Sequence, residues 1–265
     1  MTLPVDKVSK SDIGVLSAKE NKSNMCLSAL SHSAMSHLKP HLAEVTLNQG
    51  AILWDSKRPT TDIYFPTSGL ISIVLSMPDG ECVEVASVAR EGAVGAYFDP
   101  VQSDLLTRGV VQTGGELTRI SLSNLLSAAS QKHEIKDLVA FCRDWILAQG
   151  QLLAACNAIH AADKRFCRWL YQYAQRMESE TVYVTQESIA AVLGLRRTTV
   201  TLIAQALQTN GSIHYSRGKI SILDMRMLQL AACGCCNNLE RGHWPSTRLL
   251  AAASDWPSPG APARS

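Results

Sequence analysis

Between Glu44 and about Arg119, apolar and polar residues alternate in short runs: "EVTL", "AILWD", "DIYFP", "GLISIVLSM", "ECVEVASV" and "GVVQTG". Turn residues separate them, at Asn48-Gln49-Gly50, Pro66-Thr67-Ser68-Gly69, Pro78-Asp79-Gly80 and Gly114-Gly115. A period of two in Val- and Ile-rich runs broken by Gly, Pro and Asp predicts a compact antiparallel β structure, a sandwich or barrel. In Pro78-Asp79-Gly80 the proline fixes φ and the glycine takes the positive φ that closes the turn.

On either side the period becomes helical. "CLSALSHSAMSHLKPHL" sets Leu27, Leu30, Met35, Leu38 and Leu42 near helical spacing, which predicts one or two short helices before the sheet. A long helix is predicted from about Ile135 to Ile159, where Ile135, Cys142, Gln149 and Cys156 recur as one heptad row and Leu138, Trp145, Leu152 and Ile159 as another. Val139, Ile146 and Leu153 widen the apolar face. These rows predict a dimer seam of Leu138, Cys142, Trp145, Gln149, Leu152 and Cys156, in which Gln149 sets register. A helix buried wholly within its own subunit is the alternative reading of the same rows.

A second helix follows, "AADKRFCRWLYQYAQRM" from Ala161 to Met177, and then a pair of short ones. Thr185 is a good N-cap for "QESIAAVL", Glu187 suits its positive end and Gly194 stops it. The next helix starts near Arg196, with Val200, Ile203 and Leu207 inward and Arg197, Thr198, Thr201 and Gln205 outward. Two short helices across a glycine turn predict a helix-turn-helix. Arginine can bind guanine O6 and N7 in the major groove, and threonine can meet a phosphate, a base edge or a thymine methyl. "SIHYSRGKISIL" then predicts a hairpin tipped by Ser216, Arg217, Gly218 and Lys219, a wing suited to phosphates.

The charge distribution agrees with this placement. From His160 onward there are twelve Lys and Arg against seven Asp and Glu, whereas the preceding residues carry thirteen against sixteen, so the half with the helix pair is the basic one. No apolar run reaches the ~20 residues that span a bilayer, and the first twenty residues lack the apolar segment of a signal peptide, so a cytoplasmic location without membrane partners is expected. The eight cysteines are then expected as thiols.

The order β-roll, long helix, winged helix-turn-helix resembles the Crp/Fnr family of bacterial transcription regulators over about residues 25 to 236. The resemblance is carried by "TQESIAAVLGLRRTTVT" and by "DIYFPTSGLISIVLSMPDGECVEVASVAREGAVG". It implies an α+β fold: an antiparallel cyclic-nucleotide-binding-like β-roll over 25–132, a dimerisation helix over 133–160 and a winged helix-turn-helix over 161–236; by their own sequence the flanks are expected as a flexible arm over 1–24 and a Pro-, Ser- and Ala-rich disordered tail over 237–265. It also implies a homodimer on double-stranded DNA at an inverted repeat, with contacts to RNA polymerase. By position, Arg197 matches the arginine that reads guanine in cyclic-AMP-responsive members. Thr198 and Leu202 stand where those members have a glutamate and an arginine, so a different operator is implied. With Thr201 and Gln205 they make the base-reading set. Thr185, Arg196, Thr199 and Arg217 fall at phosphate-contact positions, beside Ser216 and Lys219 of the wing.

An effector is less clearly written. The family's Gly-Glu-Leu motif falls on Gly95-Ala96-Tyr97, which lacks the carboxylate, and its Arg-Ser-Ala falls on Leu105-Leu106-Thr107, with Arg108 adjacent. Gly95, Ala96, Tyr97 and Arg108 are therefore the candidate pocket for an unknown small-molecule effector other than ordinary cyclic AMP. No cofactor or metal is expected. Cys26 alone serves the N-terminal region, and Cys233-Gly-Cys235-Cys236 reads as packing after the wing. A metal-dependent cupin enzyme is excluded because no histidine lies between Ala43 and Ala128, and no Gly-x-Ser-x-Gly or phosphate loop occurs. The competing non-enzymatic reading is an effector-binding module whose helical part contacts protein rather than DNA.

Overall fold

A computed structural model describes residues 23–55, 59–77, 80–95 and 107–235; the tail expected over 237–265 and all but the last two residues of the expected arm lie outside these. Two short helices, α1 (Met25–Ser28) and α2 (His32–Leu38), precede eight strands: β1 (Ala43–Leu47), β2 (Ile52–Trp54), β3 (Asp62–Pro66), β4 (Leu70–Ser76), β5 (Cys82–Val88), β6 (Val94–Gly95), β7 (Thr107–Thr113) and β8 (Gly115–Ser121). They pair antiparallel in two four-stranded sheets, ordered β1-β8-β3-β6 and β2-β7-β4-β5. Inward alternation builds a common core from Trp54, Ile71, Ile73, Ala86, Val88, Val94 and Leu117, joined by Ile146 of the long helix. Fully burying each of the large side chains stabilises the fold by about 1.5–3 kcal/mol.

The strands β6 and β8 fall outside the expected runs. β6 has only two residues, and β8 reads "GELTRIS", whose buried Leu117 and Ile120 face opposite sides, each sharing its side with an exposed charge, so that no period of two shows. A helix also goes unpredicted there, α3 (Leu122–Gln131), which begins where the Ser121 hydroxyl accepts the Asn124 N–H at 3.2 Å. The arm ends earlier than expected, because Asn24 is buried. Its Oδ1 caps α1 through the N–H groups of Cys26 and Leu27, and its Nδ2 donates to the carbonyls of Pro66 and Gly92, each at 2.9 Å.

The long helix α4 spans His133–Ile159, and α5 spans Ala162–Met177. After them come β9 (Thr181–Tyr183), α6 (Gln186–Leu193), α7 (Arg197–Thr209), β10 (Ile213–Ser216), β11 (Lys219–Ile222) and α8 (Met225–Ala231). The C-terminal unit is seated on the β-roll. Leu70 and Ala89 belong to the core that α5, α6 and α7 build around Phe166, Leu170, Ile189, Val200 and Leu207. Polar ties run alongside: Gln49 Nε2 donates to the Tyr183 carbonyl at 2.9 Å, Arg90 pairs with Glu178 at 3.2 Å, and the hydroxyls of Thr113 and Tyr173 are hydrogen-bonded.

Candidate nucleic-acid interface

Thr185 starts the helix pair as expected. Its hydroxyl accepts the Ser188 N–H at 3.1 Å and so caps α6, with Glu187 in the first turn. Gly194 ends the helix at φ +59, and the Leu195 N–H reaches back to the Ala190 carbonyl at 2.9 Å, a Schellman-type close that needs the left-handed residue. Only Gly194, Leu195 and Arg196 separate α6 from α7. Val200, Ala204 and Leu207 bury one face of α7, which turns the other to solvent.

That outer face begins with an electrostatic anomaly. Arg196 is the N-cap of α7 and supplies no side-chain acceptor, Arg197 is its first residue, and no acid stands in the first turn. Cations at a positive helix end cost about 0.3–1 kcal/mol each, and a missing cap about 1 kcal/mol. Both arginines are exposed. Between Glu187 and Asp224 the chain has four cations, Arg196, Arg197, Arg217 and Lys219, and no carboxylate. None of the four enters an ion pair among the described residues. A helix end that repels cations and keeps free N–H groups is stabilised when an anion such as a phosphate arrives.

Of the other expected base readers, Thr198 and Gln205 are exposed, and so is Leu202, whose apolar side chain is 67% in solvent. Thr199 is half-buried. Thr201 is half-buried too, with its hydroxyl 2.7 Å from Gln186 Oε1 and 3.0 Å from the Arg197 carbonyl. One hydroxyl has one hydrogen. Thr201 therefore locks the two helices together and keeps only acceptor capacity for a ligand.

The wing is built on a two-residue turn. Arg217 and Gly218 both have positive φ, +47 and +77, which is the type I′ arrangement that matches the twist of a hairpin. Glycine takes this conformation readily, whereas arginine is strained by about 1–2 kcal/mol. The fold nevertheless sets an exposed guanidinium at the tip. β11 also pairs with β9, and the Lys219 ammonium lies 6.0 Å from the Tyr183 ring centroid. The Val184 N–H donates to the Gly218 carbonyl at 2.8 Å, which holds the wing tip against the entry to α6. Through Gly218–Val184 and Gln186–Thr201 the structure joins the wing tip, the start of α6 and the start of α7 into one surface.

Most of the expected seam is covered by the chain's own elements. Leu138, Cys142, Gln149 and Cys156 are at most 3% exposed, packed against the chain's own elements, and Trp145 and Leu152 are half-buried. The rows read as a partner face are the face that holds the β-roll, because a helix lying on a sheet needs the same heptad of apolar residues. The exposed heptad is Leu147, Gln151, Ala154 and Ala158, flanked upstream by half-buried Ala140 and Asp144.

Of the expected effector pocket, Ala96 and Tyr97 lie outside the described residues, Gly95 ends β6 opposite Ile63, and Arg108 is half-buried on β7 opposite Val74. The structure places a polar cavity elsewhere, between β4, β5, α4 and α5, lined among others by Glu84, Ser87, Gln149, Arg168 and Arg176. Burial pushes the Glu84 carboxyl up to about 7 against the pull of its Ser72 hydrogen bond and the cations Arg176 and Arg168. Ser72 donates to Glu84 at 2.5 Å. A bulge at Val85, where Ile73 pairs with Ala86 but Val74 with Glu84, puts Glu84 on the face of Ser72 and Ser87 and away from Ala86 and Val88, so a period of two does not mark this site in the sequence. The late cysteines are buried, Cys233 and Cys235 packing with Cys156 and Leu152 of α4. Cys156 of α4 and His160, its C-cap, converge on Cys233 and Cys235, and burial raises the thiols of the latter two, Cys235 to about 12.

Residues 164–231 match the family described as the Crp-like helix-turn-helix domain. Over a longer span the fold is that of solved Crp/Fnr regulators. A Crp/Fnr-family transcriptional regulator from Eubacterium rectale superposes with TM-score 0.62 at 17% identity, over 77% of this chain and 95% of that one. FixK2 from Bradyrhizobium japonicum gives 0.62 at 14% identity, over 73% and 98%. CLP from Xanthomonas campestris, described as a c-di-GMP-responsive global regulator, gives 0.60 at 18% identity, over 73% and 100%. No functionally curated protein matches the chain. The chain thus carries a Crp-like helix-turn-helix domain over residues 164–231, within a fold shared with solved Crp/Fnr regulators.

Proposed function

We propose that the chain is a sequence-specific DNA-binding transcription regulator. It acts as a homodimer on an inverted repeat whose half-sites lie about one helical turn, roughly 34 Å, apart. The observation that carries the reading is the uncapped start of α7, where Arg196 and Arg197 stand exposed and without ion pairs. Arg197 and Thr198 read base edges with Leu202 and Gln205. Arg196, Arg217 and Lys219 hold phosphates, assisted by Thr185, Thr199 and Ser216. A surface that contacts only protein gives no reason for four cations without one carboxylate over this stretch. The dimer forms along the exposed heptad of α4 centred on Leu147. Ordinary cyclic AMP is not the effector, because Gly95 is followed by Ala96 and Tyr97, without a carboxylate for the ribose.

The test is selection of random duplex DNA by the purified protein without added ligand, followed by sequencing. An enriched inverted repeat is expected. On that repeat Arg197→Ala costs about 1–3 kcal/mol and relaxes one base position. Arg217→Ala weakens all sequences alike and lowers the slope of log affinity against log salt by about 1. Equal losses from both variants on selected and random DNA would sink the assignment of roles.

A further inference from the structure

We propose that Cys156, His160, Cys233 and Cys235 form a tetrahedral site for a zinc-class divalent cation, which fastens the segment after α8 to the C-terminal end of α4. Nothing in the DNA-reading assignment requires this site.

Cys156 lies in the last turn of α4, and His160, four residues on, is its C-cap, where the backbone turns extended. The two are tied together by the His160 N–H, which donates to the Cys156 carbonyl at 3.0 Å. Cys233 and Cys235 follow α8, and the Cys233 N–H donates to the Lys164 carbonyl of α5 at 3.3 Å. The donor atoms of all four lie within 4.8 Å of one another. Cys156 Sγ is 3.5 Å from Cys233 Sγ, and Cys235 Sγ is 3.6 Å from His160 Nδ1. Zinc bonds of about 2.3 Å to sulfur and 2.0–2.1 Å to nitrogen, at tetrahedral angles, put two sulfurs about 3.8 Å apart and sulfur and nitrogen about 3.6 Å apart. The Cys156–Cys233 and Cys235–His160 pairs already stand close to those separations, and no pair of donors is more than 4.8 Å apart.

The donor set decides the class of ion. Three sulfurs and one imidazole are soft or borderline ligands, which select zinc over the oxygen-seeking magnesium and calcium. With four protein ligands no position is open to substrate, which is the pattern of a structural rather than a catalytic site. The three thiols are nearly sealed, at 0%, 4% and 7% exposure, while His160 is half-buried and forms the open side through which an ion enters. Among the described cysteines Cys26 and Cys142 also approach, to 3.9 Å, but the described residues supply them no third donor.

The site spans a joint. His160 and Ala161 alone connect α4 to α5, so the angle between the long helix and the helix-turn-helix is set there. An ion bound on both sides of that connection fixes the angle by a second tie.

The experiment uses the full chain, purified without a metal-affinity tag or chelator under reducing conditions. Elemental analysis is expected to give about one zinc per chain. Cobalt exchanged into the site is expected to show tetrahedral d–d bands and thiolate-to-cobalt charge transfer, a readout that needs no variant. Cys156→Ser and Cys235→Ser lose the metal, His160→Ala gives it up to a chelator more readily, and Cys82→Ser keeps it. The proposal is overturned by a reduced wild-type chain that takes up no zinc, by an octahedral cobalt spectrum without thiolate bands, or by iron in place of zinc. A Cys156–Cys233 disulfide persisting in the reduced preparation, or metal retained by a folded Cys156→Ser chain, overturns it equally.

Discussion

The guanidinium of Arg176, on α5, lies 3.6 Å from the carboxylate of Glu91, in the turn that follows β5. The same guanidinium donates to the Ser87 hydroxyl at 2.8 Å and carbonyl at 3.2 Å, and reaches Gln149 Oε1 of α4 at 3.5 Å. One side chain therefore touches the β-roll, the long helix and the helix-turn-helix unit. The Arg90-Glu91-Gly92 motif of the β-roll sequence is a clasp, because Arg90 pairs in turn with Glu178.

Arg176→Ala is expected to destabilise the protein by about 3 kcal/mol, since it leaves the mostly buried Glu91 carboxylate without its cation. Glu91→Gln should cost less, because the amide oxygen can still accept the Ala89 N–H. The two changes should be non-additive in chemical denaturation. Additive losses would mean that the pair does not couple the units.

Glu84 makes stability depend on pH in an unusual direction. Its folded carboxyl titrates at about 7, against an ordinary value of 4.5. Between these the folded chain binds more protons than the unfolded one, so stability falls as pH rises through the window and levels off above about 7. The full swing is about 3 kcal/mol. Glu84→Gln keeps an acceptor for Ser72 and removes the charge. Denaturation midpoints of that variant should lose this slope and exceed wild type at pH 8; an unchanged slope would place the titration elsewhere.

Leu147→Glu should raise the dimer dissociation constant by about 30-fold or more, the scale of a central interface residue worth ~2 kcal/mol. Sedimentation at several concentrations reads it directly. Leu138→Glu, at a residue 1% exposed, should instead unfold the chain. A Leu147→Glu protein that remains a tight dimer would move the seam to another surface.

The helix-turn-helix is legible to within a residue or so, since Thr185, Gly194 and the apolar triplet of Val200, Ile203 and Leu207 are local signals that fix caps and faces. The strand runs are legible for the same reason, except for β8, which buries Leu117 on one side and Ile120 on the other and so shows no period of two. Heptad spacing on α4 reveals a helix with an apolar face but not what covers it, and the cover is the chain's own β-roll. Cys156 and His160 lie in an ordinary helix end far along the chain from Cys233 and Cys235, so only the folded backbone brings those donors together. The site of Glu84 is hidden in sequence, because the bulge at Val85 turns its carboxylate off the face of Ala86 and Val88 and its arginine neighbours come from a helix more than eighty residues on.

Leu70 and Ala89 of the β-roll are built into the core of the C-terminal unit. Heat should therefore melt the two units in one cooperative transition, with a calorimetric enthalpy equal to the van't Hoff value. Swinging the recognition helix away from the β-roll is then not free hinge motion. It requires a partial unfolding of shared apolar surface, and a ligand that drives the swing must bind the open form with enough extra affinity to offset it.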